Sequence, residues 1–336
     1  MRFFTFLFLL LSICSLAQKK NKYDTFFEKG NRNQSASYAE TIAYYKLLAD
    51  DFPSIEMQKM GLTDSGEPLH MVVFNPEKQF DFGVIQKNKA VVLLNNGIHA
   101  GEPDGIDASM QLFRDLALGK IKVPKNTVAV CIPVYNIGGA LNRNATSRAN
   151  QDGPESYGFR GNARNYDLNR DFIKSDTRNT KSFTEIFHKI NPDIFIDNHV
   201  SNGADYQYKL TYIMTQHNKL GAVLGDFLNT EMMPALVKDL QKKNIETTPY
   251  VNAFQDTPDK GFGQFFESPR YATGYTSLFN TIGFVVETHM LKKYADRVKV
   301  TYEYMRSAID FTDANFQKIK QLRLKNETQY KPQKSY

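Results

Sequence analysis

With 336 residues, 41% of them apolar and 23% charged, the chain has an ordinary globular composition and enough length for one sizeable core. Its formal net charge of +6 is modest, and the bases gather at KKNK near the start and between Lys318 and Lys334. No basic motif interleaved with aromatics lies in the folded region, which excludes nucleic acid as an expected partner.

The chain opens with MRFFTFLFLLLSICSLAQ, one basic residue followed by an apolar run too short to span a bilayer comfortably and then small residues at Ser15 and Ala17. This pattern predicts a signal peptide over residues 1–17, cut after Ala17, and a secreted or periplasmic mature chain without stable membrane insertion. A membrane anchor and lipid attachment at Cys14 are the alternatives. Once the leader is removed only Cys131 remains, so no internal disulfide forms.

After a polar stretch, SYAETIAYYKLLADDF spaces apolar residues at helical intervals from Tyr38 to about Leu48, with Ser37 as its cap and Pro53 beyond its end. The runs LHMVVFN, AVVLLNN, TVAVCIPV, DIFIDNH, LTYIM and GFVVET are short and rich in apolar residues, the pattern of strands buried on both faces. Helical segments are predicted at roughly 105–118, 177–189 and 218–242, with a final one from near Lys292 to about Leu324. The alternation predicts an α/β fold, a single α/β/α sandwich around a mixed, mostly parallel twisted sheet spanning residues 18–325, followed by a basic tail at 326–336.

Open α/β sheets bind ligands at the carboxyl ends of their strands. Three predicted strands end in residues suited to metal or proton chemistry: VVLLNNGIHAGE in His99 and Glu102, DIFIDNH in His199, and GFVVE in Glu287. Two imidazoles and a carboxylate make up the protein ligands of a catalytic zinc site, and a further carboxylate is needed as the base. His70 and His188 read as structural or exposed, while His289 lies close enough in sequence to Glu287 to reach the site. The irregular stretch from Asn136 to Arg170, which contains YGFRGNARNYDLNRDF, is too long for an idle connection. Its arginines offer planar, permanently charged forks for a carboxylate or an oxyanion.

In their order, HAGE, DLNRDF, DNH and VVET make the sequence resemble the zinc carboxypeptidase family of the carboxypeptidase A type, across essentially the whole mature chain. The resemblance implies one zinc ion per chain held by His99, Glu102 and His199, with Glu287 as general base and Asp167 orienting the first imidazole. It also implies that Asn169 and Arg170 grip the terminal carboxylate of a peptide or other substrate. Arg160 fits the oxyanion arginine, with Arg164, Arg148 and Arg143 as rivals; Tyr271 and Tyr275 are candidates for the tyrosine that covers the substrate. The family's Asn-Pro-Asp-Gly turn is altered to YNIGG, in which only Asn136 is retained. The implied activity is metallocarboxypeptidase hydrolysis of the C-terminal peptide bond. A zinc amidase or deacylase acting on peptidoglycan peptides or acylated amino acids is the alternative, followed by an inactive binding protein on the same fold. Arg270 is a candidate for selecting an acidic terminal residue.

Overall fold

The structure, a computed structural model, describes residues 21–250, 257–261 and 263–329. The expected leader at 1–17 and the tail beyond Gln329 lie outside them. Eight strands form one sheet: β1 (Ile55–Leu62), β2 (Pro68–Phe74), β3 (Ala90–Asn96), β4 (Thr127–Ile132), β5 (Ile194–Val200), β6 (Leu210–Met214), β7 (Thr247–Pro249) and β8 (Ile282–Thr288). Their spatial order is β1-β2-β4-β3-β5-β8-β6-β7. The four central strands, β4, β3, β5 and β8, run parallel, while β2 and β6 flank them antiparallel. Every residue of β3, β4 and β5 is buried, as expected for strands covered on both faces.

The helices include α1 (Tyr38–Asp51), α2 (Asp104–Ala117), α3 (Arg178–Ile190), α4 (Met233–Lys242), α5 (Ala272–Ser277) and α6 (Tyr294–Gln329). A reciprocal bond between Ser37 and Glu40 starts α1, and the Thr177 hydroxyl caps α3. Alternation along β5 separates the two helical layers. Asn198 points toward Met305 of α6, whereas Phe195 meets Phe183 of α3 edge-on, with ring centroids 6.0 Å apart. Asp197 and His199 share the face of Phe195.

Two strands, β1 and β7, were absent from the sequence expectation. The former alternates between core and solvent at the sheet edge, and the latter has only three residues. The expected helix at 218–242 is interrupted. A 3-10 turn at His217–Leu220 and a helix at Gly221–Phe227 lead through a π turn at Leu228–Met232 into α4. Gly221 takes φ +68, and Pro234 cannot donate the helical hydrogen bond its position requires, so a regular helix does not pass through. The last helix continues to Gln329, and the first residues of the expected tail are therefore helical. No helix of the described residues is long and apolar enough to cross a membrane.

Candidate active site and metal centre

Strand register places the principal groups. In the parallel pair of β5 and β8, His199 lies opposite Glu287, and in the pair of β3 and β5, Asn95 lies opposite Asp197. The chain leaving β3 turns at Gly97, with φ +65, and delivers His99 and Glu102 just before α2 begins. His99, Glu102 and His199 each offer a ligand atom within 4.8 Å of the others, and all three are buried.

The hydrogen bonds around this cluster fix which ring nitrogens face inward. Nε2 of His99 is 3.0 Å from Asp167 Oδ1, and Nε2 of His199 is 3.0 Å from Asp197 Oδ2. With the outer nitrogens occupied by carboxylates, both Nδ1 atoms face Glu102, at 3.1 and 3.0 Å. Carboxylates bound to the outer nitrogens favour one tautomer and keep the inner lone pairs available, the arrangement found around metal-binding histidines. Asn95 Nδ2 donates to the other oxygen of Asp197 at 2.9 Å, which holds the support itself in place.

Glu102 is 2% exposed and also accepts from Arg148 Nη1 at 2.7 Å and from the Val200 amide at 3.0 Å. Burial alone would raise its pKa, but Arg148 and the two imidazoles hold it well below the usual carboxylate range. His199 is shifted in the opposite sense. Burial would lower its pKa, yet Asp197 and Glu102 raise it well above the ordinary imidazole value. Glu287 is pushed up to about 8, first by burial and also by the neighbouring Glu102 and Glu267, against the opposing pull of His199 and Arg148.

A cleft with a cavity volume of about 190 Å³ opens over the cluster, and its walls include Arg160, Asn169, Arg170, Tyr271 and Glu287. Asn136 anchors the long loop by donating to the Arg160 carbonyl at 2.9 Å while its own amide oxygen accepts from Gly139. From there the Arg160 guanidinium bonds Asp167 through Nε and Nη2 and comes within 3.2 Å of His99 Nδ1. The rival arginines are engaged elsewhere. Arg148 holds Glu102, Arg143 donates to the carbonyls of Ser35, Ala36 and Ser156, and Arg164 lies 4.6 Å over the Tyr166 ring. Arg160 alone among the four lines the cleft.

Arg170 makes no ion pair among the described residues and stacks 4.5 Å over the Tyr271 ring. The buried Oδ1 of Asn169 has no hydrogen-bond partner. Arg170 donates through Nη1 to the Asn169 carbonyl at 2.7 Å, and a cation without an ion-pair partner beside an amide whose N–H can donate is suited to a ligand carboxylate. Asp167 caps the short turn Leu168–Arg170 that presents both residues.

Tyr275 is not at the cleft. It is 4% exposed and its ring packs against Phe172, Phe187 and Phe279, because a helix forms at Ala272–Ser277 and turns it into the core. Arg270 is exposed and does not line the cleft, and His289 is buried, accepting from the Tyr206 amide. Sequence reasoning missed Asp197 and the cleft residues Tyr250 and Glu267, and named Arg148 only as a rival for the oxyanion role, not as the partner of Glu102. For Asp197 a signal existed, since a residue two before His199 on a strand shares its face. Glu267 had none, being a single acid in the irregular stretch FFESPR.

Comparison with known proteins supplies an independent line. The zinc carboxypeptidase family profile matches residues 41–227. Carboxypeptidase 2 of Trichophyton equinum is 30% identical over 185 residues, covering 52% of this chain and 32% of the relative. Its counterpart from Trichophyton rubrum is 24% identical over 184 residues, 51% and 31% of the two chains. The matched part thus spans about a third of the length of these relatives. Among solved structures, carboxypeptidase A from Helicoverpa armigera aligns with a TM-score of 0.62 over 91% of this chain and 79% of its own, at 13% identity. A metallo-carboxypeptidase from Burkholderia cenocepacia aligns with a TM-score of 0.59 over 83% and 70%, at 15% identity. At these identities the structural likeness is one of fold.

Proposed function

Since the chain belongs to the zinc carboxypeptidase family, we propose that it is an exported, zinc-dependent metallocarboxypeptidase that hydrolyses the C-terminal peptide bond of peptides. The observation that carries this reading is the buried His99, Glu102 and His199 cluster, whose outer ring nitrogens rest on Asp167 and Asp197, with Glu287 on the adjoining strand. Two nitrogens and a carboxylate are a donor set that fits zinc, and supported rings of this kind bind it with less reorganisation. A zinc ion held there would supply Lewis-acid polarisation of the scissile carbonyl and would acidify water.

The remaining work falls to the side chains. Arg170 and Asn169 receive the free carboxylate, which sets the scissile bond at a fixed distance from the chain end. Arg160 stabilises the oxyanion that develops as the carbonyl is attacked. Glu287 takes the proton from the attacking water and returns it to the leaving amine. Its place opposite His199 on the adjoining strand sets the carboxyl beside the metal cluster, within the cleft where that proton is exchanged. Tyr271, stacked on Arg170 at the rim, covers the bound end.

A Glu287→Gln variant is expected to keep its zinc while losing at least about two orders of magnitude in turnover, the scale of a lost general base. Near-normal turnover would remove Glu287 from the role, and full activity in the presence of a chelator would remove the metal. The apolar opening segment supports export. N-terminal sequencing of protein recovered outside the cytoplasm should begin at Gln18, and an intact Met1 on that protein would contradict cleavage.

A further inference from the structure

Glu267 occupies the wall of the same cleft, 3% exposed, in the segment that leads into α5. Its Oε2 accepts from the Thr273 amide at 2.8 Å and from the Thr273 hydroxyl. Among the described residues no hydrogen bond to its Oε1 is found and no lysine, arginine or histidine comes within ion-pair distance, although Lys219 and His199 act on its charge from farther away. Burial pushes its carboxyl up, and the two bonds from Thr273 pull it partly back. A buried carboxylate with no cation in direct contact is costly to keep. The bonds to Thr273 do not account for the charge, because the carbonyl of a glutamine would accept them equally well.

The rest of the cleft shows what would complement it. Val200, Ile213, Tyr250 and Phe265 supply apolar wall, and Arg170, which makes no ion pair among the described residues, with the side-chain N–H of Asn169 supplies the carboxylate receptor. One unpaired cation and one unpaired anion in a single cleft match an amino-acid end that carries a carboxylate and a positively charged side chain on an aliphatic stem. We propose that Glu267 is a specificity-determining residue that receives the side chain of a C-terminal lysine or arginine while Arg170 holds the adjoining carboxylate. The assignment rests on the carboxypeptidase reading and goes beyond it by naming the terminal residue. It also replaces the expectation that Arg270 selects an acidic end.

Two measurements on the zinc-loaded full chain test it. Calorimetric titration compares free L-lysine and L-arginine with L-norleucine, and a hydrolysis assay compares blocked dipeptides ending in lysine, arginine or leucine. The cationic members should be favoured at least about tenfold in Kd and in kcat/KM, the scale of a charge-assisted contact made by one ligand and missing from the other. Glu267→Gln, checked for retained zinc, should collapse that ratio at least tenfold, while Glu267→Asp should keep its direction. A ratio near one in the unaltered protein, or an equal loss on every ligand in Glu267→Gln, overturns the assignment. Selective binding of lysine and arginine with no cleavage of any dipeptide would instead leave Glu267 in place and overturn the peptidase reading.

Discussion

Single side chains in the cleft carry consequences that titration exposes. Glu287 has an ordinary pKa of 4.5, pushed up to about 8 in the metal-free fold by burial and by nearby carboxylates. Between those values the folded protein keeps a proton on Glu287 that the unfolded chain releases. Its contribution to stability is therefore complete below about pH 4.5 and is lost as the pH rises toward 8. Comparing denaturant midpoints of metal-free protein at pH 6 and pH 9, the unaltered chain should lose roughly 2–3 kcal/mol relative to Glu287→Gln, the linkage expected for one proton over about two pH units. Parallel pH curves for the two proteins would show that Glu287 titrates normally. Asp167 behaves in the opposite sense. Burial would raise its pKa, but the hydrogen bond and charge of His99, followed by Arg160 and Arg170, lower it.

At the scale of elements, the strands that carry the candidate site were readable because their physics is local. Each is short, apolar and buried on both faces, and each ends abruptly in a polar group, so His99, Glu102, His199 and Glu287 are marked by position as well as by type. The edge of the sheet was not readable for the converse reason. In IEMQKMGL most residues are partly exposed, and their mixed character resembles a loop when tertiary pairing with β2 is unknown. The loop residues divide in the same way. Arg160, Asn169 and Arg170 stood out through the density of polar groups around them, whereas Glu267 is a lone acid whose burial depends on how α5 packs. Tyr275 was misplaced because ATGYTS has little helical periodicity, so nothing in its sequence showed that the ring turns inward. Close approach of elements is written into small residues. A Cβ on Gly105 would lie 2.4 Å from Asn198 Cβ, so only glycine lets α2 start against the end of β5 directly after Glu102.

Across the whole molecule, one fully buried guanidinium joins segments distant in sequence. Arg297 of α6 binds Asp104 through Nε at 3.0 Å and donates to the carbonyls of Asp152, Gly153, Met290 and Lys292. Asp104 in turn accepts from the Thr288 hydroxyl, next to Glu287, and the loop that Arg297 holds at residues 152–153 follows Arg148, the partner of Glu102. Replacing Arg297 with methionine should cost about 3–5 kcal/mol in urea unfolding, because Asp104 would be left as a buried charge without a counterion. A companion Asp104→Asn change should recover part of that loss, and no loss in the single variant would show that Arg297 is not needed. The same joint sets a timetable during synthesis. The first zinc-ligand candidates leave the ribosome well before β8 and Arg297, and until those arrive β5 is paired on one side only and the cleft lacks Glu287. On the proposed carboxypeptidase reading, a nascent chain therefore cannot cut peptides until β8 has been made and paired.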